Sequence, residues 1–319
     1  MYRFPLHFLL YTCAILSLLA LVEISFFYSN QKDEQQYEIH KYSMEDESAI
    51  NESVDFELKK RRLPGCLIIG ARKGGTRALL DALALHPMIR AARREVHFFD
   101  RNDTFSRGIA WYKDQMPLSF HHQLTIEKTP AYFPSFVTPE RVFQMNSKMK
   151  IIVILREPVI RTISDYTQVY YNRLELKKSL PLFGEVVFRN GTDQIDTDYK
   201  PVRNSLYEIH LRSWLNYFPL SQIHIVDGDK FGIDPLPELR LVESFLNVPH
   251  LINSSSLVWD QRKGFFCFRK NQRQPPHCLG DSKGRTHRPV SSSTRENLRK
   301  AFLPYNERLF ALIGRRFRW

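Results

Sequence analysis

The sequence predicts an α/β fold, a single domain with a mostly parallel central sheet and flanking helices. Apolar strand-like runs alternate with amphipathic stretches along the body of the chain, the signature of strands joined by helical crossovers. The run Cys66–Ile69 passes through a glycine turn into the basic loop around Lys73, Gly74 and Gly75, and a helix-like stretch follows. The 43% hydrophobic content of the 319 residues is enough for a sizeable core.

Taken in order, residues 1–7 form a short tail and residues 8–28 an apolar segment interrupted by Glu23. That is roughly the ~20 residues needed to cross a bilayer. Arg3 precedes the segment and an acid-rich stretch follows it, which puts the tail in the cytosol and the body in the lumen. A signal peptide cleaved near Ala20 is the alternative. The length of the run and the lack of a small-x-small site favour the anchor. Residues 29–62 are polar and aperiodic and read as a stem.

The body, residues 63–319, contains four strand candidates: Cys66–Ile69, Leu124–Glu127, Ile151–Leu155 and Ile223–Val226. Helix candidates are Thr76–Leu85, Pro139–Met145, Pro158–Asn172, Ser205–Phe218 and Leu236–Leu246. Pro158 and Pro235 suit first-turn positions, where a missing N–H costs nothing. The segment Lys263 to Pro289 reads as irregular. No internal repeat, heptad array or second domain boundary is visible.

Formal net charge is +12. Residues 31–60 hold four lysines against nine acids, so everything from Arg61 onward carries +17. Such a body favours a polyanionic partner: nucleic acid, an acidic membrane, or a sulfated or carboxylated sugar. A lumenal address removes nucleic acid. Glycosylation sequons at Asn51, Asn102, Asn190 and Asn253 agree with that address. Cys267 and Cys278 flank a polar loop and would pair in an oxidising compartment, two free thiols being the alternative. No metal site is expected, because nothing supplies four ligands at finger-like spacing.

A strand feeding a helix through a glycine loop aims backbone N–H groups and the positive helix end at one spot, which suits a phosphate. The loop is not a Walker A loop: Gly75 is followed by Thr76 and Arg77, and the lysine precedes the glycines. This argues against a kinase or nucleotide hydrolase. Four further clusters stand out. Alternation would put Glu95, His97 and Phe99 on one face of an extended segment, where carboxylate and imidazole could serve as a general base and its partner. Glu127-Lys-Thr-Pro-Ala-Tyr132 lies at a strand end, where ligands collect in α/β sheets. Arg156 leaves a buried strand, and Ser164 lies eight residues on inside the next helix. Together they could hold a second phosphate, or Arg156 could pair with Glu157 or Asp165. Last, Lys263-Gly-Phe-Phe266 and Lys283-Gly-Arg-Thr-His287 could close over a nucleotide.

These residues resemble the heparan sulfate glucosamine 3-O-sulfotransferases, Golgi enzymes that use 3′-phosphoadenylyl sulfate (PAPS). The resemblance rests on Lys73-Gly-Gly-Thr-Arg77, Glu95-Val-His-Phe-Phe-Asp100, Glu127-Lys-Thr-Pro-Ala-Tyr-Phe133, Ile154-Leu-Arg-Glu-Pro158, Ser164-Asp-Tyr-Thr-Gln168, Val226-Asp-Gly-Asp229, Lys263-Gly-Phe265 and Ser282-Lys-Gly-Arg285, in the family's order over residues 64–319.

The resemblance implies a P-loop-like sulfotransferase fold. It implies that Lys73, Gly74, Gly75, Thr76 and Arg77 cradle the 5′-phosphosulfate and that Arg156 and Ser164 hold the 3′-phosphate. Phe266, Lys283, Gly284, Arg285, Thr286 and His287 would close over the nucleotide. Glu95 would take the proton from the glucosamine 3-hydroxyl, supported by His97 and Asp100, while Lys128 and Lys73 stabilise the moving charge. The acceptor cleft would be lined by Glu95, Val96, His97, Phe98, Phe99, Asp100 and Arg101, by Lys128, Thr129, Pro130 and Ala131, and by Gln168, Tyr199 and Arg285. Cys267 and Cys278 would form the family's disulfide, and no metal would be needed. The heparan sulfate chain would be the partner of the basic body.

The sequence departs from the family pattern at Phe266, where a tyrosine is expected, and matches least well over Tyr170–Asp198. A sulfotransferase for another acceptor position, or a non-catalytic heparan-binding protein on the same fold, are the rival readings. An N-sulfotransferase would bring a long additional deacetylase region that is not in this sequence.

Overall fold

The computed structural model describes residues 58–189, 192–280 and 284–319. The expected anchor, most of the stem, Asn51, Asn190 and Lys283 lie outside the described residues. Among the described residues no helix is long and apolar enough to cross a membrane.

The strands are β1 (Lys60–Arg61), β2 (Cys66–Gly70), β3 (Ile89–Ala91), β4 (Leu118–Ser119), β5 (Leu124–Lys128), β6 (Lys150–Leu155), β7 (Ile223–Asp227), β8 (Leu257–Asp260) and β9 (Phe265–Phe268). The helices are α1 (Thr76–Leu83), α2 (Asn102–Phe105), α3 (Gly108–Asp114), α4 (Thr138–Met145), α5 (Pro158–Glu175), α6 (Phe183–Val187), α7 (Lys200–Arg203), α8 (Tyr207–Leu215), α9 (Gly228–Ile233), α10 (Pro235–Leu246) and α11 (Ser292–Ile313).

Five strands form one parallel sheet in the order β3-β5-β2-β6-β7. The chain fills one side of β2 and then crosses to β6 on the other, so the direction of winding reverses beside β2. In such sheets a crevice opens at the carboxyl ends of the strands on either side of that reversal.

The central strands are buried on both faces, which is why they read as unbroken apolar runs. Alternate residues serve two cores. Leu67, Ile69, Ile151, Val153 and Leu155 pack with Tyr112, Tyr132, Trp214 and Phe310. Cys66, Ile68, Ile152 and Ile154 face Leu79, Leu83, Leu239 and Val242. Each fully buried Leu or Ile contributes roughly 1.5–3 kcal/mol. A third cluster joins Val159 and Ile163 of α5 to Phe183, Val202, Leu298 and Phe302.

Helix starts follow local chemistry. Glu157 accepts from Ile160 N–H at 2.6 Å, ahead of Pro158. Asp227 accepts from Asp229 and Lys230 N–H at 3.2 and 3.1 Å. Asp234 caps α10, with Pro235 as its first residue.

Three expectations are corrected. The segment Glu95–Asp100 is a turn rather than an extended strand: His97 is left-handed at φ 53°, and Phe98 and Phe99 both enter the core. Phe98 stacks on Tyr112 at 4.5 Å, and Phe99 meets Tyr132 edge-on at 5.5 Å. Burial of two adjacent rings outweighs strand alternation here. The Lys263–Pro289 segment is not wholly irregular, because β8 and β9 form an antiparallel hairpin. The helix expected from Ser205 begins at Tyr207, and the Ser205 hydroxyl instead accepts from Arg161 at 2.6 Å.

The 22-residue helix α11 is not among the sequence's helix candidates, and Pro304 interrupts its pattern. Proline removes one helix hydrogen bond. Packing of Leu298, Phe302, Leu309 and Phe310 into two cores offsets that loss.

Candidate active site

The loop Ala71–Gly75 joins β2 to α1 and rests on β6. Ala71 N–H donates to Ile154 O at 2.9 Å, and Gly74 N–H to Ala71 O at 2.9 Å. A Cβ on Gly74 would lie 2.5 Å from Ile154 O, and Gly75 sits at φ +115°. Glycine is therefore required at both positions for the loop to lie flat against the strand. Lys73 is left-handed at φ 67°. Non-glycine residues in this region cost about 1–3 kcal/mol and cluster at functional sites. Two of the four such residues among the described ones, Lys73 and His97, are sequence-predicted site residues.

Beside the loop, Lys128 ends β5 and pairs in register with Ile68 of β2. Thr129 N–H and Phe133 N–H continue the contact, donating to Ile68 O and Ile69 O at 3.2 and 2.9 Å. This register brings the Lys128 ammonium to the same sheet end as the glycine loop. Lys128 is buried and donates to Glu95 Oε1. The other Glu95 oxygen lies 3.7 Å from His97 Nε2, and His97 Nδ1 lies 2.9 Å from Asp100 Oδ2. The Glu95 side chain is 42% exposed. The result is a line Asp100–His97–Glu95–Lys128 with a solvent-facing carboxylate held between an imidazole and a cation.

Thr129 fixes that line from beneath. Its hydroxyl accepts from Val96 N–H at 3.1 Å and His97 N–H at 3.4 Å and donates to Glu127. Glu127 is fully buried, and burial pushes its carboxyl up to about 7 against the hydrogen bond from Thr129.

On the other side of the loop lies a cluster of cations. Burial lowers the pKa of His287, and the nearby charges of Arg156, Lys73 and Arg295 lower it further. Residues 73, 156 and 287 therefore share one electropositive neighbourhood, suited to an anion. Arg156 follows β6. Its Nε is 3.4 Å from Asp229 Oδ1, so its partner is neither Glu157 nor Asp165.

Comparison with known proteins decides the family. Residues 63–289 match the sulfotransferase domain. Heparan sulfate glucosamine 3-O-sulfotransferase 5 of Mus musculus is 46% identical over 259 residues, 81% of this chain and 75% of that protein. Heparan sulfate glucosamine 3-O-sulfotransferase 6 of Homo sapiens is 42% identical over 261 residues, 82% of this chain and 75% of that protein. The chain belongs to the heparan sulfate glucosamine 3-O-sulfotransferase family. Its fold also matches the crystal structure of a sulfotransferase from Alicyclobacillus acidocaldarius, at TM-score 0.60 and 21% identity, covering 80% of this chain and 98% of that one.

Within this sulfotransferase domain the remaining expected residues are placed unevenly. Arg77 does not face the loop: its guanidinium donates to Asp81 at 2.9 Å and to Arg93 O at 3.1 Å. Phe98 and Phe99 lie in the core behind the cleft and present no ring to it. Thr129 and Pro130 are buried and Ala131 half-buried. Gln168 Nε2 donates to Asn172 at 2.7 Å along α5. The Tyr199 hydroxyl and Arg285 Nη1 are buried without a hydrogen-bond partner among the described residues. The Arg285 guanidinium lies 4.9 Å from the Tyr171 ring. Arg101 is exposed, and Ser164 half-buried on α5. Thr286 and His287 lie in the segment that follows Gly284.

Cys267 and Cys278 form a disulfide. Asp260 lies beside both sulfurs, and with the sulfurs bonded to each other this trio is not a metal site. Phe266 meets Trp259 edge-on at 5.2 Å. Gly284, at φ +66°, lies so close to Phe265 that a Cβ would meet its ring at 2.6 Å. That close approach joins the hairpin to the segment carrying Arg285 and His287. Of the sequon asparagines, Asn102 accepts from Arg141 at 2.6 Å and Asn253 accepts from Ser255 N–H at 3.0 Å.

Sequence reading missed the residues that brace the loop. Arg161 is fully buried, donating to Arg72 O at 3.1 Å, Asp165 Oδ2 at 2.9 Å, Ser205 Oγ and Pro201 O. Asp165 also accepts from Arg72 Nε at 2.9 Å. Burial pushes the Asp165 carboxyl up, but Arg161 and Arg72 outweigh it and hold it below the usual range. This bolts the glycine loop to α5. The spacing of Arg161 and Asp165, four residues apart on a helix, was the available signal.

Proposed function

We propose that this chain transfers a sulfuryl group from PAPS to the 3-hydroxyl of glucosamine residues in heparan sulfate, with Glu95 as the general base. The observation that carries the reading is the Glu95 carboxylate, held between His97 of its own turn and Lys128 at the end of β5, the strand next to the one that feeds the glycine loop.

The residues divide the work. The Glu95 carboxylate accepts the proton of the sugar hydroxyl, whose oxygen then attacks sulfur as the bond from sulfur to the phosphate oxygen breaks. Charge builds on the departing 3′-phosphoadenosine 5′-phosphate. Lys73, the N–H groups of Gly75 and Thr76 and the start of α1 stabilise it. Lys128, already within hydrogen-bond reach of Glu95, neutralises the carboxylate before transfer and is released toward the sulfuryl oxygens as Glu95 takes the proton. His97, oriented by Asp100, holds Glu95 from the other side. Arg156, with Ser164, takes the 3′-phosphate. The basic body, +17 from Arg61 onward, attracts the polyanionic acceptor with strong salt dependence. The same reading places the chain in the Golgi membrane by residues 8–28, with residues 63–319 in the lumen and the described disulfide suited to that compartment.

Glu95→Gln tests the proposal. It is expected to bind 3′-phosphoadenosine 5′-phosphate normally and to lose turnover by roughly 10²–10⁴-fold, measured as sulfate transfer to heparan sulfate with disaccharide analysis of the product. Normal turnover would refute the role of Glu95, and sulfate found only at another position would refute the acceptor assignment.

A further inference from the structure

Among the described residues Trp319 makes no hydrogen bond to an expected ligand-binding residue, yet it is tied to one of them through a single carboxylate. Its indole N–H donates to Asp229 Oδ2 at 3.0 Å. The same oxygen accepts from Glu157 N–H at 2.8 Å. The other oxygen, Oδ1, faces Arg156 Nε at 3.4 Å.

The indole is itself held in place. It stacks on Phe317 at 4.5 Å and lies 5.6 Å from Phe310 and 5.8 Å from Tyr207, ring to ring. The Tyr207 hydroxyl donates to Arg156 O at 2.8 Å. Gly314, left-handed at φ 63°, ends α11 and turns the chain back. Arg315 then donates to Ile225 O at 3.0 Å, fastening this segment across β7.

We infer that Trp319 is a positioning residue for recognition of the donor's 3′-phosphate, acting through Asp229 on Arg156. The inference rests on the reading of Arg156 given above. A carboxylate beside an arginine prefers the two-pronged contact that occupies the guanidinium edge. That contact would compete with an incoming phosphate. Two N–H donors on Oδ2 prevent Asp229 from turning both oxygens onto Arg156. The pair's nearest contact runs from Nε to Oδ1 at 3.4 Å, and no two-pronged hydrogen-bonded contact joins Asp229 to the guanidinium among the described residues. Loss of the indole N–H releases the carboxylate to close on Arg156. Affinity for a nucleotide bearing a 3′-phosphate then falls, while affinity for one lacking it does not.

The test uses the full chain and two probes, 3′-phosphoadenosine 5′-phosphate and adenosine 5′-phosphate, with dissociation constants measured by calorimetry. Trp319→Phe keeps an aromatic ring for stacking and removes the N–H. It is expected to weaken the first probe about tenfold, the scale of one hydrogen bond to a charged group, and to change the second less than twofold. In an Asp229→Asn background the Trp319→Phe effect is expected to vanish. Partial unfolding would weaken both probes alike, so equal weakening by Trp319→Phe overturns the inference, as does no weakening of either. Arg156→Ala is run alongside. If it is selective for the 3′-phosphate and Trp319→Phe is not, the inference fails alone. If Arg156→Ala weakens both probes equally, the reading of Arg156 falls and the inference falls with it.

Discussion

His97 Nδ1 stands 2.9 Å from Asp100 Oδ2, three residues along a turn whose first half is left-handed at His97 itself. The pairing fixes the ring so that Nε2 meets Glu95. Asp100→Asn keeps the shape but replaces an anionic acceptor with a neutral amide, so the imidazole loses its orienting charge. Turnover is expected to fall roughly 10- to 100-fold, less than the roughly 10²–10⁴-fold of the base itself, with donor affinity unchanged. Steady-state kinetics against both substrates check this, and a loss confined to KM for the donor would contradict it.

The glycine at 228 backs the glycine loop. A Cβ there would come within 2.8 Å of Gly74 O and 2.6 Å of Leu155 O. Both neighbours are backbone, so neither yields cheaply. Gly228→Ala is expected to cost about 1–3 kcal/mol, as overpacking usually does, and to weaken donor binding by displacing the loop. Gly232→Ala, in the same helix with open space around it, is the control and should leave donor affinity as it is. Thermal melts and a donor titration of the two variants give the comparison.

Glu127 supplies a pH dependence. Burial pushes its carboxyl from 4.5 up to about 7 in the folded protein. Between those values an unfolded chain releases this proton while the folded one keeps it. The residue therefore lowers stability progressively as pH rises through that window, and the loss is complete above about 7. Glu127→Gln cannot ionise. Relative to the parent, the variant is expected to gain on the order of 3 kcal/mol between pH 4.5 and 8. Urea midpoints at both ends of the window read the difference, and equal midpoint differences at the two pH values would show that Glu127 titrates as an ordinary glutamate.

Much of this was legible in the chain. The apolar runs at 66–69, 124–127, 151–155 and 223–226 became four of the five parallel strands. Burial on both faces makes such strands unbroken in sequence. The missing edge strand, Ile89–Ala91, is three residues long, too short to carry a period. The glycine loop was legible because only glycine fits where Gly74 and Gly75 lie. Helix α11 was not legible because Pro304 reads as a stop until packing on two cores holds the helix together.

The sequence alone thus determined which residue types are available: a basic glycine loop, a carboxylate beside an imidazole, an arginine leaving a buried strand, and a strongly basic body. Those are local properties, written in neighbouring residues. Tertiary structure decided which of them act together. Pairing of β3 with β5 carries Lys128 to Glu95, 33 residues away. The fold brings the positive charges of Lys73 and Arg156 to bear on His287. It sends Phe98 and Phe99 into the core and Arg77 to Asp81. It also joins Trp319 to Asp229, 90 residues away. Pairing between distant segments is set by the depth of the core and the crossing of the strands, and no period or motif in one stretch of chain encodes it.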